Sequence, residues 1–99
     1  VRYAPLAALP DHHARTVFSV DWSADGLLAS GGADDAIAVV RAGEGAAAAA
    51  EFAPVCRREG AHAGDVNCVR WRPVGERLLA SAGDDGAVKL WRLVDGGRV

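Results

Sequence analysis

Apolar residues along this chain come in short runs separated by clusters of Gly, Asp and Pro, a spacing that suits β-strands rather than helices. In the second half the runs are residues 66–72, 78–82 and 87–93. Between the last two lies Gly83-Asp84-Asp85-Gly86, whose Asp-Gly step tolerates the positive backbone dihedrals of a tight hairpin. The first half carries Gly31-Gly32-Ala33-Asp34-Asp35 at the corresponding place. A further run, residues 52–58, reads as a fourth strand of the first unit, reached through an Ala/Gly-rich stretch.

The two halves are copies of one another. The segment VFSVDWSADGLLASGGADDAIAVV from Val17 overlays VNCVRWRPVGERLLASAGDDGAVKLW from Val66, with Trp22 over Trp71 at an offset of 49 and Ser30 over Ser81 at an offset of 51. The second copy therefore has an insertion in its first turn, where extra residues are tolerated. Four antiparallel strands per unit, at a period near 50, predict an all-β chain built of β-propeller blades. On this reading residues 1–10 are the outer strand of a preceding blade, and residues 11–59 are a first blade with an Ala/Gly-rich loop at 42–51. Residues 60–99 are a last blade that lacks its outer strand. Blades are buried on both faces by their neighbours, and about four to eight close a ring. The chain is thus expected to be a propeller fragment, its start at Val1 a cut end within a longer protein.

Composition narrows function more than fold. With 51% hydrophobic and 24% charged residues the chain falls in the ordinary globular class. Its 11 basic and 13 acidic residues leave a net charge of -2, which gives no electrostatic reason to approach nucleic acid or anionic lipid. No apolar run approaches the roughly 20 residues of a membrane span. Cys56 and Cys68 lack a C-x-x-C spacing and are too few for a disulfide framework, which fits reduced thiols in the cytosol or nucleus.

Ala61-His62, residues 66–71, the string LLASAGDDG and residues 88–91 resemble the WD-repeat (WD40) signature, from its His-containing turn to its terminal Trp. In that family four side chains form a hydrogen-bonded relay across the blade, and the resemblance puts His62, Ser81, Asp85 and Trp91 in those places. An indole N–H only donates, a hydroxyl and a neutral imidazole do both, and a carboxylate accepts. Such a relay would pin the third strand and the connecting loop to the hairpin. In the first copy His13, Ser30 and Asp34 match while Val40 replaces the Trp, so that blade is expected to lack the indole link and to rest more on packing. Arg15, Ala33, Asp65 and Asp84 would lie in loops on the same rim as His13 and His62, and are the candidate partner-facing positions.

The strings AHAGDVNCVRW and LLASAGDDGAVKLW, preceded by HHARTVFSVDW and DDAI, are further similar to the C-terminal end of WD-repeat scaffolds of cytosolic iron-sulfur protein assembly. That resemblance implies a protein-interaction scaffold that is not an enzyme, holds no cofactor or metal of its own, and works in the cytoplasm, with the nucleus as a second place. The implied partners are proteins: a helical-repeat adaptor, a small carrier and the iron-sulfur apo-enzymes that receive clusters, with neither nucleic acid nor membrane among them. The alternative is a generic WD-repeat adaptor of a ubiquitin-ligase, trafficking or chromatin complex.

Sharper chemistries compete poorly. His62, Ser81 and Asp85 have the composition of a hydrolytic triad, yet a donor from Trp91 would occupy the Ser81 hydroxyl, and LLASAG lacks the strained G-x-S-x-G elbow. His12, His13, His62, Cys56 and Cys68 match no zinc or cluster spacing, and both cysteines read as strand residues. Asp34-Asp35 and Asp84-Asp85-Gly86 look like pieces of a calcium loop but have no bidentate Glu at the right distance. Trp22 and Trp71, closing the first strand of each copy, read as packing residues between blades.

Overall fold

The computed structural model describes residues 2, 4, 9, 12–42 and 52–93. The strands are β1 (Val17–Trp22), β2 (Leu27–Gly32), β3 (Ile37–Ala42), β4 (Phe52–Arg58), β5 (Val66–Trp71), β6 (Leu78–Gly83) and β7 (Val88–Arg92), with no helix among the described residues. β1 to β4 form one antiparallel sheet in chain order and β5 to β7 a second. The architecture is all-β, two propeller blades packed face to face. The expected outer strand at 1–10 lies outside the described residues apart from Arg2, Ala4 and Leu9. So does the Ala/Gly-rich loop at 42–51 apart from Ala42, and all of 94–99.

The repeat persists in the details of the sheets. Each innermost strand has the same irregularity, between Val17 and Ser19 and between Val66 and Cys68. Each second hairpin turns through a residue at positive φ, Asp35 at 63° and Gly86 at 77°. Gly83 is both the last residue of β6 and the first of the expected turn, its carbonyl accepting from the Gly86 amide at 3.2 Å. The position has no room for a side chain, since a Cβ there would lie 2.5 Å from Cγ of His62.

The core lies between the sheets. Alternation along the strands points Leu27, Ala29, Ile37 and Val39 at Val66, Val69, Trp71 and Leu79, and every one of these is buried. A fully buried Leu or Val contributes about 1.5–3 kcal/mol, so this layer dominates the stability of the pair. Gly31 is part of the contact, because a Cβ there would meet Val66 Cγ1 at 2.6 Å.

Polar ties flank the apolar layer at both ends. On the inner side the main-chain N–H of Val69 donates to Ser19 Oγ at 3.1 Å, and that of Trp71 to Asp21 Oδ2 at 2.7 Å. β5 is an edge strand, and these are amides that its partner β6 does not satisfy. On the outer side the Arg58 guanidinium of β4 sits 5.5 Å from the ring of Trp91 on β7. The two tryptophans of the innermost strands part company here. Trp71 is buried in the interface, whereas Trp22 points from the other face of the first sheet and is half exposed beside Phe52.

Candidate interaction site and its hydrogen-bond relays

In the second blade the loop before β5 and the hairpin between β6 and β7 are tied by one directed chain of hydrogen bonds. The Trp91 indole N–H donates to Ser81 Oγ at 2.8 Å. The Ser81 hydroxyl lies 2.8 Å from His62 Nε2, and His62 Nδ1 lies 2.9 Å from Asp85 Oδ1. A carboxylate can only accept, so His62 carries its proton on Nδ1, Nε2 accepts from Ser81, and Ser81 accepts from the indole. Asp85 also accepts from the amides of Ala63 and Ala87, which joins the His-bearing loop to its own turn. The hydrogen bond from His62, with these two amides, holds the Asp85 carboxyl down at about 2. Lys89 reaches the same loop through its ammonium, which donates to the Ala61 carbonyl at 2.9 Å.

The first blade repeats three members and replaces the fourth. His13 Nε2 is 2.7 Å from Ser30 Oγ and its Nδ1 is 2.9 Å from Asp34 Oδ1. Asp34 accepts from the Ala14 amide at 3.0 Å and from that of Ala36 at 3.4 Å. Val40 is buried where the indole would start, so the indole link is absent, but packing alone does not take its place. His12 Nε2 approaches Ser30 Oγ at 3.1 Å, and the same proton count makes it the donor that closes the relay. Burial first, then the neighbouring His13 and Arg57, push the His12 imidazole below its ordinary value against the pull of Asp34.

Arg57 on β4 adds a clamp with no counterpart among the described residues of the second blade. Its guanidinium donates to Asp34 Oδ2 at 2.8 Å, to the His12 carbonyl at 2.7 Å and to Glu59 Oε1 at 2.5 Å. Burial works against ionisation of Asp34, but His13, the Ala14 amide and Arg57 outweigh it and hold that carboxyl well below the usual range. Neither His12 nor Arg57 was visible as a relay member in the aligned repeats, because His12 stands next to the matching histidine and Arg57 lies on the outer strand.

The rim candidates lie at one end of both blades. Ser19 with Val69 and Asp21 with Trp71 bring β1 and β5 alongside in the same direction, so the loops before them and the hairpins facing those loops share a side. Arg15 and Asp84 are exposed there, while Ala33 and Asp65 are half-buried. The Ala33 amide donates to the Thr16 carbonyl at 2.8 Å and the Asp84 amide to that of Asp65 at 3.0 Å, equivalent bonds in the two copies. Asp84 Oδ1 also accepts from the Asn67 side chain at 2.6 Å.

Ser81 and Ser30 have the connectivity of hydrolytic nucleophiles without the access. Their residues are 2% and 3% exposed, and each hydroxyl oxygen is already engaged by a donor, so no acyl carbon can reach it. Among the described residues no group of three His, Cys, Asp or Glu side chains is arranged to hold a metal.

The sequence matches the family described as "WD domain, G-beta repeat" over residues 3–40 and 54–92. This chain belongs to the WD-repeat family. The second WD match takes in β4 together with β5 to β7, although β4 pairs with β3, so the sequence repeat and the blade are out of phase by one strand. Among WD relatives, the chain is 46% identical over 86% of its length to a Chlamydomonas reinhardtii protein named "Probable cytosolic iron-sulfur protein assembly protein CIAO1 homolog". It is 43% identical over 92% of its length to "Protein CIA1" of Arabidopsis thaliana. It is 39% identical over 88% to "Cytosolic iron-sulfur protein assembly protein 1" of Saccharomyces cerevisiae strain S288c. The WD chain spans about a quarter of the length of these relatives, 25%, 27% and 26% in turn.

Proposed function

We propose that this chain is part of a non-catalytic protein-interaction scaffold in cytosolic iron-sulfur protein assembly, working in the cytoplasm. The observation that carries the reading is the 46% identity, over 86% of the chain, to a relative bearing that name. The chemistry agrees with a binding role, since the polar side chains that could react are spent inside the relays and serve to stiffen loops.

Stiff loops on one rim suit recognition, because a surface already held in its bound shape loses little entropy on docking. Arg15 and Asp84 are the exposed charges we assign to partner contact, with Ala33 and Asp65 beside them. The partners on this reading are a helical-repeat adaptor, a small carrier and iron-sulfur apo-enzymes, and clusters are cargo passed among them. Affinity capture from reduced cytosolic extract, using the full-length protein that carries this sequence, tests it. Recovery of iron-sulfur apo-enzymes with a helical-repeat protein supports the role. Recovery of ubiquitin-ligase, trafficking or chromatin subunits without such clients overturns it and leaves the propeller standing.

A further inference from the structure

The two relays end in groups of different chemistry. In the second blade Ser81 Oγ accepts from the Trp91 indole at 2.8 Å and lies 2.8 Å from His62 Nε2. In the first, Ser30 Oγ stands between two imidazoles, 3.1 Å from His12 Nε2 and 2.7 Å from His13 Nε2. The two rings meet edge to face, their centroids 5.2 Å apart. An indole nitrogen only donates, whereas an imidazole nitrogen donates or accepts according to its tautomer.

That difference decides what each relay can do with an added proton. If His62 took one on Nε2, Ser81 Oγ would receive two donors and its own hydrogen would be left without an acceptor. Ser81 is 2% exposed, so water cannot take that hydrogen. The second relay is therefore held neutral and runs one way. If His13 takes a proton on Nε2, Ser30 can turn its hydrogen to His12, provided that the His12 proton has moved to Nδ1. Every partner then stays satisfied.

The groups around the row set where the proton enters and where it rests. His13 and Ser30 are buried while His12 is only half-buried, so a proton from solvent arrives at His12. His12 lines an open groove of about 380 Å³ with Cys56 and Arg57 of β4. The Arg57 guanidinium donates to the His12 carbonyl at 2.7 Å, and Glu59 holds it from another side. On the hairpin between β2 and β3, Asp34 Oδ1 lies 2.9 Å from His13 Nδ1. A positive charge on His12 faces Arg57, whereas on His13 it lies against a carboxylate. Burial first, then His13 and Arg57, accordingly hold His12 below its ordinary value against the pull of Asp34.

We propose that His12, Ser30 and His13 form a proton-operated switch: a proton from solvent binds His12 Nδ1, the His12 Nε2 proton passes to Ser30 Oγ, and the Ser30 proton passes to His13 Nε2. Ser30 then donates back to His12, and His13 is left as an imidazolium between Ser30 and Asp34. Both hydrogen bonds to Ser30 reverse and none is lost. The loop before β1 also carries Arg15, so the proton adds positive charge to the rim of the first blade and none to that of the second. Only this consequence for partners rests on the rim reading above.

The test is nuclear magnetic resonance of the full-length protein that carries this sequence, its histidine rings labelled with nitrogen-15, a readout that separates the two neutral tautomers from the imidazolium and needs no partner. Each ring is assigned by replacing one histidine at a time. At about pH 8, His12 is expected as the Nε2–H tautomer, with His13 and His62 as Nδ1–H tautomers. As the pH falls to about 5, His12 and His13 should move together, His12 crossing to the Nδ1–H tautomer and His13 becoming the imidazolium, while His62 stays neutral. His12→Trp restores a pure donor and should make His13 about tenfold harder to protonate, a drop of one pH unit in its midpoint. His12→Gln can turn either its oxygen or its nitrogen to Ser30, so the His13 midpoint should survive that change. The proposal falls if His12 is the imidazolium at low pH while His13 stays neutral, a reading of the native protein that does not depend on any variant folding. It also falls if H12W leaves the His13 midpoint where it was.

Discussion

Asp21 on β1 satisfies both donors of Trp71 on β5, its carboxylate taking the main-chain N–H at 2.7 Å and its own carbonyl taking the indole N–H at 3.1 Å. Trp71 is 7% exposed, so water cannot replace a lost acceptor. Asp21→Ala is expected to destabilise the chain by about 1.5–3 kcal/mol, the range for a buried bond to a charged group. Asp21→Asn keeps an oxygen and should cost less than half of that. Urea unfolding followed by tryptophan fluorescence measures both, and equal losses would mean that the carboxylate acts through something other than this bond.

Ser81 is the centre of its relay and Trp91 only an end, so their losses should differ. Ser81→Ala strands both the indole donor and the His62 acceptor, a cost of about 2 kcal/mol or more. Trp91→Phe keeps the ring over which Arg58 sits and removes one donor, a cost of about 1 kcal/mol. In the double variant the losses should fall short of additive, because the indole bond can be lost only once. Additive losses would argue that the relay does not act as a unit.

The strands, the repeat and the relay positions were legible because each depends on local spacing: alternation, an Asp-Gly turn and a His, Ser and Asp that recur at offsets of 49 and 51. What escaped depends on which groups are neighbours across the fold. His12 as the stand-in for an indole needs the loop to turn its ring toward Ser30, and no spacing rule encodes that. Arg57 reaches Asp34 only because β4 pairs with β3. Trp22 and Trp71 align in sequence and differ in burial, since among the described residues a second sheet packs against Trp71 and none against Trp22.

Gly83 and His62 set a limit on side-chain size inside the second relay. A methyl at Gly83 would lie 2.5 Å from His62 Cγ and 2.6 Å from Nδ1, and His62 has no room to retreat while bonded at both nitrogens. Gly83→Ala should cost about 1–3 kcal/mol, the usual penalty for overpacking. Thermal or denaturant unfolding checks it, with an unchanged midpoint contradicting the packing.

Asp35 holds a φ of 63° where the second blade has Gly86 at 77°. Asp tolerates the left-handed region better than most residues but still carries a backbone cost that glycine lacks. Asp35→Gly should therefore stabilise the chain by about 0.5–1 kcal/mol, the relief being partly offset by the greater freedom of the unfolded glycine chain. A fall in stability on chemical denaturation would show that the Asp35 side chain has a role of its own.

Acid should unfasten both hairpins. Asp85 falls from its ordinary 3.8 to about 2, mainly through the hydrogen bond from His62, and Asp34 is held below its usual range by His13, Ala14 and Arg57 against the opposing effect of burial. The unfolded chain takes up protons at these carboxyls before the folded chain does, so stability falls as pH drops. Their contribution is complete above about pH 4 and lost as pH falls toward 2 for Asp85, and lower still for Asp34. Asp85→Asn can still accept from His62 but cannot ionise, so its denaturant midpoint should be lower at pH 7 and flatter between pH 4 and 2. Midpoints measured across that range decide the matter: parallel curves for the native chain and D85N would mean that the acid sensitivity resides elsewhere.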